Sequence, residues 1–237
     1  MRAIILAGGK GTRLRPYTYV LPKPLMPIGG ERPILEIIIK QLKNFGFDRI
    51  TIAVNYMANI IQALFDNGNN IGVNIDYSLE KKPLGTVGPL TIIDDLPENF
   101  FVMNGDLLTD LNYKEFYQRH INNKNDITVA THQKKYQDKS GVLKFNENFD
   151  IIEFVEKPIS FSYINMGIYC LNRKVIEALP KNEPCGFDTV IKDAITNKLK
   201  VKAYAHTTYW LDIGRTKDYR AANNFYLDHQ DKFLKTD

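Results

Sequence analysis

Cysteine is scarce in this 237-residue chain, which contains only Cys170 and Cys185. Two thiols cannot build a disulfide framework, and no Cys/His cluster has the spacing of a zinc site. The expectation is a pair of reduced thiols in a cytoplasmic protein. Long apolar runs are missing too. The first, Ala3-Ile4-Ile5-Leu6-Ala7, stops at Gly8-Gly9 and is too short for a signal peptide. Nothing approaches the ~20 apolar residues of a membrane helix, so no membrane partner is expected. Charge of one sign is not in excess, since 31 Lys+Arg face 27 Asp+Glu for a net +4, and the basic residues form no tract. Nucleic acid is therefore not an expected partner. The histidines, His120, His132, His206 and His229, lie in polar or tail contexts and form no catalytic set, which argues against Ser–His–Asp or Cys–His chemistry. Internal repeats, low-complexity tracts and Pro/Ser linkers are absent.

What remains is the composition of a globular α/β protein, 44% hydrophobic and 24% charged. A buried strand is expected over 2–7, an amphipathic helix over 33–45 ending at Gly46, a strand over 50–54, and a helix over 58–65. A strand over 73–77, a helix over 86–95 and a strand over 100–103 follow. That alternation predicts a parallel sheet with right-handed crossovers. Beyond residue 125 the runs 127–131, 141–145, 151–155 and 164–171 read as strands, with helices over 173–179, 187–197 and 217–235. The final helix places Tyr219, Ala222, Phe225 and Tyr226 on one side, to cover the sheet or join a second subunit. The second half is expected as an elaboration of one sheet, within a single domain spanning 1–237.

The segment Gly8-Gly9-Lys10-Gly11-Thr12-Arg13 follows the first strand directly. Three glycines in four positions let backbone amides approach and cradle phosphate oxygens. The pattern is neither a P-loop nor G-x-G-x-x-G, and alone it could be a tight turn. Arg13 adds a planar fork of donors, and Pro22-Lys23-Pro24 presents an ammonium on a restricted backbone. Asn104-Gly105-Asp106 follows an apolar run, so Asp106 is expected at a strand end, where open α/β sheets bind ligands. Asp212, in Trp210-Leu211-Asp212-Ile213-Gly214, is a second such acid. Two carboxylates of this kind can share Mg2+ and leave positions for phosphate and water. Each on its own could merely cap a turn. Glu156-Lys157-Pro158 sets an acid suited to sugar hydroxyls beside a base suited to phosphate, although it could equally be a surface ion pair. Glu80 precedes the turn Pro83-Leu84-Gly85-Thr86.

Leu6–Pro16 with Pro22-Lys23-Pro24 resembles the signature of the sugar-1-phosphate nucleotidyltransferases, the NDP-sugar pyrophosphorylases. Asn104-Gly105-Asp106, Glu156-Lys157-Pro158, Asn165-Met166-Gly167-Ile168-Tyr169 and Trp210–Gly214 are similar to that family's later motifs, in order, and the resemblance covers essentially the whole chain. It implies a Rossmann-like α/β fold: a predominantly parallel mixed sheet flanked by helices, with a β-rich sugar-binding extension. Residues 1–125 would form the nucleotide-binding half and 126–237 the sugar-phosphate-binding half.

The resemblance further implies Mg2+-dependent transfer of a nucleoside monophosphate from an NTP to a sugar 1-phosphate. It assigns Arg13 and Lys23 to catalysis and Asp106 and Asp212 to the metal. Leu6, Gly8, Gly9, Gly11, Thr12, Arg13, Glu80, Pro83, Gly85 and Thr86 would bind the nucleotide. Asn104, Gly141, Glu156, Lys157, Asn165 and Gly167 would bind the sugar phosphate. The inventory suits such chemistry, because a sugar-phosphate dianion needs positioning and charge neutralisation rather than a protein base.

Glu80–Leu90 is similar to the corresponding stretch of mannose-1-phosphate guanylyltransferases. An acceptor-only carboxylate suits the adjacent N–H donors of guanine. GTP with a mannose- or heptose-type 1-phosphate is thus the favoured pair. Uridylyl or thymidylyl transfer to another sugar 1-phosphate, such as a muramic-acid type, is the alternative. No hexapeptide repeats of a C-terminal left-handed β-helix are present. Homo-oligomerisation is left open. An NDP-sugar-dependent glycosyltransferase would need the triphosphate cradle less, and a non-catalytic nucleotide-binding subunit would not need Arg13, Lys23, Asp106 and Asp212 together.

Overall fold

The computed structural model describes residues 1–234. The apolar opening run forms β1 (Arg2–Leu6). Its alternation divides the core, with Ala3 and Ile5 packing into one apolar cluster and Ile4 into another. Short 3-10 turns and the hairpin β2 (Pro27–Ile28)–β3 (Arg32–Pro33) lead to α1 (Ile34–Asn44), β4 (Arg49–Val54), α2 (Ala58–Phe65) and β5 (Asn74–Leu79). Next come β6 (Asn99–Asn104), β7 (Leu107–Thr109), α3 (Tyr113–Asn122), β8 (Ile127–Gln137), β9 (Val142–Phe145), β10 (Ile151–Val155) and β11 (Ile159–Asn172). The chain finishes with α4 (Arg173–Glu177), α5 (Phe187–Thr196), β12 (Val201–His206), β13 (Trp210–Asp212), α6 (Thr216–Asp228) and α7 (Gln230–Phe233).

Seven strands form the central sheet in the order β12-β8-β11-β6-β1-β4-β5. Neighbours are parallel except around β11, which runs antiparallel to β6 and β8. This is the expected mixed, mostly parallel Rossmann-like sheet. Helices α1, α3 and α6 contribute to the cluster on one face, and α4 and α5 to the cluster on the other. The chain moves from β1 outward through β4 to β5, then crosses back to place β6 on the other side of β1. Where the direction reverses, the strand ends Leu6 and Asn104 lie in register and open a crevice.

Several elements differ from expectation. The helix expected over 86–95 is a 3-10 turn at Gly88–Ile92. Pro89 lacks the N–H a helix would use, and Gly85 and Gly88 press against the backbone of Cys185 and Glu183, where a Cβ would come within 2.5 and 2.6 Å of carbonyl oxygens. The helix expected over 217–235 breaks at His229 (φ −142°, ψ 37°), and residue 235 lies outside the described residues. There the His229 ring stacks on Phe225, and Phe233 folds edge-on to Tyr209. Helix α3 and strand β12 were not expected. The α3 stripe is Tyr113, Phe116, Tyr117 and His120, at helical spacing behind an Asn112 cap that accepts the Glu115 N–H at 3.0 Å. His120 has polar partners as expected, Thr128 Oγ1 (2.8 Å) and Asn99 Oδ1 (3.1 Å), but is fully buried.

Paired antiparallel, β9 and β10 form an arm apart from the main sheet. All nine of their residues are exposed. No helix among the described residues is long and apolar enough to cross a membrane.

Candidate active site

A cleft of about 560 Å³ opens at the sheet reversal, lined by Leu6, Gly8, Gly9, Glu80, Pro83, Gly85, Thr86, Asn104 and Asp106 among others. Gly8 leaves room for the Glu80 carboxylate, because a Cβ there would sit 2.6 Å from Glu80 Oε1. Glu80 is buried, and its other oxygen accepts the Leu84 N–H at 3.1 Å. Burial pushes its carboxyl above the usual range, partly offset by that N–H. Gly11 takes φ +60° and packs so closely on Lys23 and Thr18 that a Cβ would meet both at 3.0 Å. Thr12 and Arg13 continue from it as a 3-10 turn. A larger groove of about 730 Å³ lies beside Arg2, Arg49, Asp76 and Asp95. Those four already pair with one another, Arg2 with Asp95 at 2.8 Å and Arg49 with Asp76 at 2.9 Å, so they offer no free charge to a ligand.

The two strand-end acids meet. Strand β13 pairs antiparallel with β7 so that Asp212 lies opposite Leu107, one residue beyond Asp106. The Ile213 N–H donates to the Asp106 carbonyl at 3.1 Å. Lys23, buried on its own 3-10 turn, pairs with Asp106 Oδ2 and reaches Asp212 Oδ1 at 3.6 Å. The Asp212 carboxyl is pushed up by burial and by Asp106, with Lys23 and Arg13 opposing. The Arg13 guanidinium lies against Gly214, where a Cβ would come within 3.4 Å. Asp106 Oδ1 is buried and has no hydrogen-bond partner among the described residues.

The candidate sugar-phosphate residues fall into two groups. Gly167 (φ +73°) abuts Asn104, whose Nδ2 stands 2.5 Å from where a Cβ would be, and its N–H donates to Asn165 Oδ1 at 2.9 Å. Gly141, Glu156 and Lys157 gather instead at the base of the β9–β10 arm. A Cβ on Gly141 would lie 3.1 Å from Glu156 Oε2, and Glu156 and Lys157 pair at 3.7 Å, both more than half exposed. Among the described residues, no ion pair joins this second group to the Lys23–Asp106–Asp212 cluster. Asn55, which lines the cleft and donates to the Glu80 carbonyl at 3.0 Å, was missed. Its signal was the one that marked Asp106, a polar residue just after an apolar strand.

The model of the nucleotidyl transferase family matches residues 2–229. The chain belongs to the nucleotidyl transferase family. It is 35% identical over 233 residues to the mannose-1-phosphate guanylyltransferase catalytic subunit beta of Drosophila pseudoobscura pseudoobscura, covering 95% of this chain and 62% of the relative. The chain thus spans a little under two thirds of that relative's length. HddC from Yersinia pseudotuberculosis superposes with a TM-score of 0.74 at 29% identity, over 95% of this chain and 99% of that one. Its complex with GMP-PN superposes at 0.72, also at 29% identity. A putative glucose-1-phosphate thymidylyltransferase from Bacillus anthracis, 24% identical, shares the fold with a TM-score of 0.78, over 96% of each chain.

Proposed function

We propose that this nucleotidyl transferase joins the nucleoside monophosphate of an NTP to a sugar 1-phosphate, releasing pyrophosphate and an NDP-sugar. The observation that carries this reading is the convergence of Lys23, Asp106 and Asp212 beside the glycine loop and its cleft. The glycine amides and Arg13 hold the triphosphate. Lys23 draws negative charge from the α-phosphate as a sugar-phosphate oxygen bonds to it and the α–β bridging oxygen departs with pyrophosphate. No side chain need act as a base, because the attacking phosphate is already anionic at neutral pH.

The donor set fits a divalent cation such as Mg2+: two carboxylates, one with a buried oxygen that none of the described residues satisfies. Bound there, the metal would supply charge neutralisation of the phosphates. Asp106 and Asp212 are the residues to hold it. The Lys23 ammonium contacts both carboxylates.

GTP is the favoured nucleotide. Glu80 brings an acceptor-only side chain to the cleft, one oxygen of which answers the Leu84 N–H while the other faces Gly8. The guanylyltransferase name of the fly relative and the GMP-PN complex of HddC support the same base. The sugar is of mannose or heptose type, held by Asn104 of the first half and Asn165 and Gly167 of the second, with the arm residues Gly141, Glu156 and Lys157 assigned to its phosphate side. A panel of NTPs against mannose, heptose, glucose and muramic-acid 1-phosphates, read by pyrophosphate release, tests this. Release with GTP and a mannose or heptose 1-phosphate is expected. Preference for UTP or dTTP would reject the guanine assignment, and no release with any pair would reject the reaction.

A further inference from the structure

Asn165 is held from both ends of its amide. Its Oδ1 accepts the Gly167 N–H at 2.9 Å, and its Nδ2 donates to the Tyr169 hydroxyl at 2.7 Å. An amide whose oxygen meets a donor and whose nitrogen meets an acceptor has one orientation, so its remaining N–H points in a defined direction. Tyr169 is 4% exposed, and its ring stacks on Phe187 with 3.5 Å between centroids and 8° between planes. Phe187 opens α5, and its backbone N–H donates to Thr86 Oγ1 at 3.1 Å, at the wall of the cleft. The register of β11 against β8 shifts between Asn165 and Tyr169, and Gly167 within that shift abuts Asn104. The circuit therefore leaves the cleft at Thr86 and returns to it at Asn104.

We propose that Tyr169 is a positioning residue that fixes Asn165 for the sugar phosphate, while its stack on Phe187 ties that subsite to the nucleotide loop at Thr86. This rests on the reading above that Asn165 faces the sugar 1-phosphate. Core packing needs only the ring of Tyr169. The hydroxyl serves Asn165. Tyr169→Phe keeps the ring and removes the acceptor, so the KM for sugar 1-phosphate rises about fivefold to tenfold, the fold-change of one lost hydrogen bond. The KM for the NTP and the melting temperature stay near those of the unsubstituted chain. Phe187→Leu loosens both ends and raises both KM values, whereas Phe187→Tyr keeps the stack and preserves both. A Tyr169→Phe enzyme with an unchanged sugar-phosphate KM, or with both KM values raised equally, overturns the assignment while leaving the proposed reaction standing. An unsubstituted chain that releases no pyrophosphate with any pair removes both.

Discussion

The Lys23 ammonium lies 3.6 Å from the Asp212 carboxylate, joining a turn near the start of the chain to a strand near its end. The same ammonium pairs with Asp106 in the turn between β6 and β7. Asp106→Asn and Asp212→Asn keep the shape of each side chain and remove its charge. Each should lower turnover at least about a hundredfold with the fold retained, the scale of losing one preorganised electrostatic group. Chelation of divalent metal should abolish pyrophosphate release and added Mg2+ restore it. Near-normal rates in both variants would refute the metal assignment.

Glu80 supports a specificity test with an independent stability readout. Glu80→Gln retains an oxygen for the Leu84 N–H but replaces an acceptor with a donor. The preference for GTP over UTP should fall about tenfold or more in kcat/KM, since a donor would then face a donor. The folded carboxyl titrates above its unfolded range, so its ionisation opposes folding as pH rises through that range. The melting temperature of Glu80→Gln should therefore gain on that of the unsubstituted chain between pH 4 and pH 7. A parallel pH course of the two proteins would contradict the burial argument.

Gly8 is required by space rather than by backbone angle. Gly8→Ala would bring a methyl within 2.6 Å of Glu80 Oε1 and 3.2 Å of Asn55 Cβ. Both neighbours line the cleft, so the KM for the NTP should rise about tenfold or more while the KM for the sugar phosphate changes less. Gly9 has nothing within 4 Å of such a Cβ, and Gly9→Ala is the matched control for crowding.

His120 links acid sensitivity to a position far from the chemistry. Burial lowers its pKa to about 4, against an ordinary value of about 6.5. The neutral ring belongs to the folded state, so its contribution is complete above pH 6.5 and is lost as pH falls toward 4. The shift corresponds to about 3 kcal/mol. Urea unfolding should show the native chain losing stability between pH 7 and pH 4.5 more steeply than His120→Gln. Identical slopes would show that His120 titrates as though exposed.

Local pattern made β1, α1, β4, α2 and β5 legible, with α1 ending as expected beside Gly46 (φ +85°). It failed where a contact distant in sequence overrode it: the backbone of Cys185 and Glu183 excludes the helix expected over 86–95, and the packing of Phe225, His229 and Phe233 bends the final one. Helix α3 was hidden by its composition, since its buried stripe is aromatic and histidine rather than aliphatic.

Sequence alone determined the chemistry that this protein carries: a glycine loop, a proline-flanked lysine and two acids after apolar runs are short-range features, each complete within a few residues. Tertiary structure decided which of them share a site. The antiparallel pairing of β7 with β13 brings Asp212 beside Asp106, and the β11 bulge turns Asn165 toward Tyr169. Both depend on hydrogen bonds between strands tens of residues apart. Such pairing is set by the burial of the whole sheet, which no local window of the chain contains.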